Sequence, residues 1–331
     1  MTIIERLQAN GIRRLGTPGR FRYQCARGSV SREDLDRIAA LKVPPAWVDV
    51  AIAPSARSAV QAVGKDAAGR WQYRYHEAAT VRRERKKRER LVRFIAALPR
   101  MRRAIAQDLA RPGLPRQKVL AGVLRILGTC FLRPGNEVYT DQNGSYGLAT
   151  LRRQHVTVEG DRVLFDFVGK SKKRQQRELA DPVVARLTQE LLRYPGEVFK
   201  FRSDDGTMND VKTRHINAYI KEVMGEQFSA KDFRTWAGSL LCACALARAG
   251  TVGARTKTER KKRIAAALRE VASHLGNTPA VCRSSYVFPA VLRSFEQGRV
   301  IGTYFDNVCE LTNGNARRIE QSERALIELL R

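Results

Sequence analysis

The nine residues RRERKKRER, 82 to 90, separate two periodicities that no single element type can satisfy. Ahead of them, apolar and polar residues alternate in short runs broken by Gly and Pro. VPPAWVDVAIA (43–53) reads as a Pro-stiffened turn and a strand, and AVQAVGKDAAGRWQYRYH (59–76) as a hairpin around a Gly-containing turn. One short helix, SREDLDRIAALK, opens on Ser31 as its N-cap. Behind the run, apolar residues recur every three or four positions through RLVRFIAALPRMRRAIAQDLA and PRQKVLAGVLRILGTCFLR. HVTVEGDRVLFDFVGK and QQRELAD then supply three strand-like runs around the turns EGDR and GKSKKR. From Asp181 onward the spacing is helical again. A period of two belongs to strands and one of 3.6 to helices. The chain therefore reads as α+β, with a small β-dominated N-terminal domain over residues 1–80. A larger, mainly α domain over 81–331 carries a small three-stranded antiparallel sheet.

Charge narrows the function. Sixty-one Lys and Arg face 33 Asp and Glu, a net +28, which points to a polyanionic partner and most simply to nucleic acid. No apolar run reaches the ~18 residues of a membrane span, and MTIIERLQANGIRR lacks the marks of a signal peptide. Six cysteines without metal-ligand spacing read as free thiols. The expectation is a cytoplasmic, nucleoid-associated protein that binds no cofactor and no metal.

Five places could carry chemistry. Arg133, in CFLRPGNEVY, follows an apolar helix and can grip a phosphate bidentately, or can serve as a surface ion-pair partner. Lys170 stands on the turn VGKSKK between two strands, suited to a DNA groove or to a solvated strand edge. Lys231 and Arg234, in AKDFRTW, stand three apart at the start of the longest apolar helix, an electrostatically poor arrangement unless an anion binds there. Asn277 follows Gly276 at a helix end, where it caps or donates to a phosphate oxygen. Tyr286, in LGNTPAVCRSSYVFP, precedes Val-Phe-Pro, so its phenol either packs or reacts. In the run 82–90, Arg83 and Lys87 are solvated or touch phosphates, and His76 and His155 read as structural or phosphate contacts.

Taken in order, Arg133, Lys170, Lys231 with Arg234, Asn277 and Tyr286 resemble the active-site series of the type IB DNA topoisomerases, in their poxvirus-like and bacterial branch. KVPPAW, GRWQYRYH, FLRPGNEVY, SYGLATL, DFVGKSKK, KDFRTWAG and LGNTP add to the resemblance over nearly the whole chain. It implies the topoisomerase IB and tyrosine recombinase fold. It also implies that Tyr286 attacks a phosphodiester to give a 3′-phosphotyrosyl link. Arg133, Arg234 and Asn277 would hold the non-bridging oxygens, Lys170 would protonate the leaving 5′-oxygen, and Lys231 would support it. Gln72, Tyr73 and Tyr75 would lie in the major groove, Tyr139 would also touch DNA, and the protein would work as a monomeric clamp on duplex DNA. One position departs from the family, most of whose members carry histidine where Asn277 stands. A tyrosine recombinase and a non-catalytic basic DNA-binding protein are the alternatives. Lysine three before Arg234, where recombinases usually have histidine, and a β-type N-terminal part argue against the first. The second explains only the charge.

Overall fold

A computed structural model describes residues 1–25, 28–135, 140, 144–250, 256–306 and 316–331. The chain divides into two compact units, Met1–Glu89 and Arg90–Arg331.

The first unit begins with a helix that the strand and helix runs above do not include, α1 (Ile3–Asn10). Thr2 and Glu5 form a capping box at its start: the Glu5 N–H donates to Thr2 Oγ1 at 3.2 Å and the Thr2 N–H to the Glu5 carboxylate at 2.8 Å. Then come β1 (Ile12–Leu15), β2 (Arg22–Cys25), α2 (Arg32–Ala40), β3 (Val48–Ile52), β4 (Val60–Lys65) and β5 (Trp71–Tyr75). Ser31 caps α2 as expected, accepting from the Asp34 N–H at 3.1 Å. The five strands make one antiparallel sheet in the order β2-β1-β3-β4-β5. Successive strand residues face opposite sides. Val50, Ile52, Ile12 and Ala62 thus pack on Ile38 of α2, while Ala51, Ala53 and Val63 pack on Leu7 of α1. A sheet covered on both faces explains why VAIA is apolar without alternation.

Helix α3 (Glu77–Leu109) contains the basic run, with Pro99 inside it. In the second unit α4 (Arg116–Cys130) leads to the three-stranded antiparallel sheet β6 (Val156–Glu159), β7 (Arg162–Gly169) and β8 (Lys173–Ala180). There follow α5 (Pro182–Leu191), a two-stranded ribbon β9 (Lys200–Arg202) and β10 (Met208–Asp210), and α6 (Thr213–Met224). The chain continues through α7 (Ala230–Ala249), α8 (Lys257–Leu275), α9 (Pro279–Ser285), α10 (Pro289–Glu296) and α11 (Ala316–Leu330). The architecture is the α+β one expected, and the ribbon β9–β10 adds to it. Helix α7 runs through the main core, buried around nearly its whole circumference. Its Ala, Gly, Ser and Cys residues let neighbouring segments approach its backbone closely. Helix α11 is tied to α3 by Arg102, whose guanidinium meets the buried Glu323 carboxylate at 2.6 and 2.9 Å. Among the described residues no helix is long and apolar enough to cross a membrane.

Candidate active site

The site is assembled where three chain segments end. Helix α4 stops because Phe131 turns into the left-handed region (φ 55°, ψ 27°), which costs a non-glycine residue ~1–2 kcal/mol. Its carbonyl is held by Arg234, whose Nη1 donates at 2.5 Å. Arg133 follows at once. Its own carbonyl accepts from the Leu148 N–H at 2.9 Å, and the Pro134 carbonyl from the Ala149 N–H at 2.7 Å. Gly135 and Gly147 touch backbone to backbone there: a Cβ on Gly147 would come 2.4 Å from Gly135 Cα. The motifs RPG and YGLA are thus two halves of one backbone lock that fixes Arg133.

Arg234 comes from the first turns of α7 and is only 4% exposed. Besides Phe131, it donates from Nη2 to the Leu275 carbonyl at 2.7 Å, at the C-terminal end of α8. A guanidinium there meets both an unpaired carbonyl and the negative end of the helix dipole. Burial, and next the neighbouring Arg133, pull its pKa down to about 10. Helix α8 ends on Gly276 in the left-handed conformation, and Asn277 follows with its N–H on the Ala272 carbonyl at 3.0 Å. Arg133 Nη2 donates to Asn277 Oδ1 at 2.5 Å. That leaves the Asn277 Nδ2 group buried without a hydrogen-bond acceptor at normal distance, though it lies near enough to the Cys282 thiol to influence it. Thr278 then caps α9 and Pro279 opens it, which accounts for the tripeptide NTP.

Tyr286 closes α9 and is half-buried. The Arg234 guanidinium lies 4.8 Å from its ring centre. Burial pushes the phenol's pKa up, but the positive charge and N–H groups of Arg234 and then Arg133 outweigh it, so it lies below the ordinary value of about 10. Two residues of α7 that the sequence did not single out hold this tyrosine in place. The buried Ser239 hydroxyl donates to the Tyr286 carbonyl at 3.2 Å and accepts the Phe288 N–H at 3.0 Å. Gly238 lies against Tyr286 itself, since a Cβ there would sit 2.9 Å from the Tyr286 Cβ. A Gly-Ser pair in the middle of a buried apolar helix, where both are poor helix formers, was the available signal.

Arg133, Arg234, Asn277 and Tyr286 are therefore brought together, and Lys170 and Lys231 are not joined to them. Lys170 begins the tight turn between β7 and β8 and is exposed, with Ser171 and Lys172 both at positive φ (62° and 56°). Lys173, at the start of β8, is the hairpin residue that reaches the cluster, donating to the Asn277 carbonyl at 3.3 Å. Lys231 is exposed while Arg234, three residues on, is buried. The charge problem posed by this pair is solved partly inside the protein. Arg234 turns to the Phe131 and Leu275 carbonyls, while Asp232 between the two accepts from the N–H and hydroxyl of the N-cap Ser229 and takes the Arg90 guanidinium at 2.6 and 2.8 Å.

In the first unit Tyr73 and Tyr75 share one face of β5 with ring centres 6.0 Å apart, and the exposed Arg83 guanidinium stacks 4.0 Å over Tyr75. Gln72 faces the other way and donates to Asp66 at 2.9 Å. Lys87 is exposed on α3, and Tyr139 lies outside the described residues. His76 Nδ1 accepts from the Ala78 N–H, and the buried His155 accepts from the Arg152 N–H and packs 4.2 Å from the Tyr146 ring. Among the described residues no group of three His, Cys, Asp or Glu is placed to hold a metal.

Residues 76–300 match the family described as eukaryotic DNA topoisomerase I, catalytic core, and residues 20–66 match the bacterial DNA topoisomerase IB, N-terminal domain. The chain is similar to DNA topoisomerase 1B of Acanthamoeba polyphaga mimivirus, 34% identical over 275 residues that make up 81% of each chain. DNA topoisomerase 1B of vaccinia virus (strain Copenhagen) is 24% identical over 230 residues, 70% of each chain. DNA topoisomerase 1 of Schizosaccharomyces pombe is 34% identical over 110 residues, 33% of this chain and 13% of the yeast protein.

Proposed function

Because the chain belongs to the type IB DNA topoisomerase family, we propose that it relaxes supercoiled duplex DNA by opening and resealing one strand through Tyr286. Tyr286 Oη bonds to the phosphorus, the bond from phosphorus to the 5′-oxygen breaks, and the strand is held as a 3′-phosphotyrosyl ester while the duplex swivels. Religation is the same step reversed. One ester is exchanged for another, so the cycle calls for no ATP.

The observation that carries this reading is that two guanidiniums, Arg234 and Arg133, act on the half-buried Tyr286 phenol, with Asn277 hydrogen-bonded to Arg133 beside them. Cationic groups favour the phenolate, and the same donors meet the charge that builds on the non-bridging oxygens. Arg234 and Arg133 serve in both roles, with Asn277 Nδ2 as the third donor. Lys170 is the proton donor to the departing 5′-oxygen, brought to it when the exposed hairpin turn meets DNA, and Lys231 supports it. Tyr73, Tyr75 and Arg83 form an aromatic and cationic face fit for a groove or a phosphate, and Arg83 and Lys87 add to the phosphate contacts. The protein acts as a monomer that clamps the duplex.

The test is relaxation of plasmid in EDTA without ATP, with wild type and Tyr286→Phe side by side. Wild type is expected to remove both positive and negative supercoils and to leave a covalent adduct on a denaturing gel. The variant should bind DNA with the same steep salt dependence and form no adduct. Wild-type relaxation by Tyr286→Phe sinks the assignment.

A further inference from the structure

Strand β8 leads straight out of the turn that carries Lys170, with Gly169 and Lys173 paired at its base. Its residues 173, 175 and 177 share one side of the strand, and each meets the end of helix α8 that presents Asn277. Lys173 Nζ donates to the Asn277 carbonyl at 3.3 Å. Arg177 Nη2 donates to the His274 carbonyl at 2.7 Å and, more weakly, toward the Ser273 carbonyl at 3.4 Å. Between them the buried Gln175 fills the space over Gly276, where any Cβ would lie 2.3 Å from Gln175 Oε1. Gln175 is itself braced, donating to the Lys173 and Arg174 carbonyls at 3.3 and 3.2 Å and accepting from Arg177 at 3.4 Å. Three alternate side chains of one strand are thus spent on one helix terminus.

We infer that Lys173, Gln175 and Arg177 are positioning residues that fix the base of the Lys170 turn to the Asn277 end of helix α8, so that the proton donor and the phosphate-binding amide move as one body. This rests on the proposed role of Lys170 and deepens it. Two cations on the carbonyl end of a helix oppose its dipole favourably. The arrangement makes the distance between donor and phosphate a property of the strand rather than of the exposed turn. Removing one contact does not take away the donor; it lets it wander. A reacting group displaced by ~1 Å can cost ~10²-fold in rate.

The test separates positioning of the donor from general loss of structure by changing the leaving group. In a duplex with sulfur in place of the 5′-bridging oxygen at a mapped cleavage site, the Tyr286 Oη–P bond forms and the P–S bond breaks. The departing thiolate keeps its electron pair and needs no proton. Single-turnover cleavage is measured on oxygen and sulfur substrates for wild type, Lys170→Met, Lys173→Met, Lys173→Arg and Arg177→Met, with thermal unfolding and DNA binding alongside. On the oxygen substrate Lys170→Met is expected to lose ~10² to 10⁴-fold, and Lys173→Met and Arg177→Met ~10 to 10²-fold. Lys173→Arg should restore much of the rate, and all should recover the wild-type rate on sulfur. Lys173 is exposed, so its variant tests the inference even if Arg177→Met fails to fold. If Lys170→Met recovers on sulfur while Lys173→Met and folded Arg177→Met stay slow, or if both cleave oxygen at the wild-type rate, the inference is overturned and Lys170 stands. If Lys170→Met itself does not recover, its role as proton donor falls, and the inference with it.

Discussion

Gly238→Ala should damage catalysis far more than stability. Gly238 lies inside helix α7, where alanine is intrinsically the better residue by ~1 kcal/mol. Against that gain, an added Cβ would stand 2.9 Å from the Tyr286 Cβ, 2.9 Å from its carbonyl oxygen and 3.0 Å from its carbonyl carbon. Carbon atoms rest ~3.5–4.0 Å apart, so the Tyr286 backbone has to retreat by roughly 0.5–1 Å. Overpacking of this kind costs ~1–3 kcal/mol, partly offset by the helix gain, for a net loss of ~0–2 kcal/mol. The atoms displaced, however, belong to the proposed nucleophile, and the Ser239 hydroxyl that pins Tyr286 and Phe288 is the next residue along. A shift of ~1 Å at a reacting group is worth ~10²-fold in rate. The assay is single-turnover formation of the covalent adduct on a denaturing gel, with urea unfolding and DNA binding measured on the same samples. A variant that is folded, binds DNA normally and cleaves at the wild-type rate would falsify the reasoning, because the contact would then not set the position of Tyr286.

Cleavage should accelerate with pH along a limb that lies below the ordinary phenol value, since the phenolate is the deprotonated form and Arg234 and Arg133 hold the Tyr286 pKa down despite burial. In Arg234→Gln that limb should move to higher pH as well as fall in height, and an unmoved limb speaks against charge coupling. Asn277→His should remain active and gain a titration near the ordinary histidine value of about 6.5 that wild type lacks; an inert variant contradicts the role of simple donor. Arg102→Met removes the partner of a 2%-exposed carboxylate and should cost ~3–5 kcal/mol. Burial already holds the Glu323 pKa above its ordinary value in spite of Arg102, so the folded state keeps this proton longer than the unfolded state. Stability from this group therefore falls as pH rises from the ordinary carboxylate range through the raised value, and more steeply without Arg102. Urea unfolding at pH 5 and pH 8 should show the larger loss at pH 8, and equal losses refute the assignment.

What could be read from the chain was whatever leaves a local mark. Ser31 as a cap, the β4–β5 hairpin, the three strands around EGDR and GKSKKR, and the long apolar helix after KDFRTW all announce themselves in a few neighbouring residues. The grouping of Arg133, Arg234, Asn277 and Tyr286 came from the family resemblance, carried by their order along the chain and by the motifs FLRPGNEVY, KDFRTWAG and LGNTP around them. Helix α1 was missed because only Thr2 and Glu5 mark it, and its burial is confined to Leu7. The pair Lys231 and Arg234 was misread in part, because helix spacing puts both on one side but does not say that carbonyls 103 and 41 residues distant will draw only Arg234 inward. Ser239 and Arg177 were invisible for the same reason: each acts on backbone atoms far along the chain, and backbone atoms carry no side-chain signature, while Gln175 packs over a distant glycine, Gly276.

Helix α8 is held at its C-terminal end through its own backbone oxygens. Its Leu275 carbonyl belongs to Arg234, its Ser273 and His274 carbonyls to Arg177, and the next turn's Asn277 carbonyl to Lys173. Each inserted residue turns a helix by about 100°. An insertion just before Ser273 would therefore swing every one of these oxygens away from its cation at once. An insertion near Thr256 would disturb the capping box of Thr256 and Glu259 and leave those oxygens where they are. Natural length variation in this helix is thus expected to collect at its entry, whatever happens to the residues on its surface.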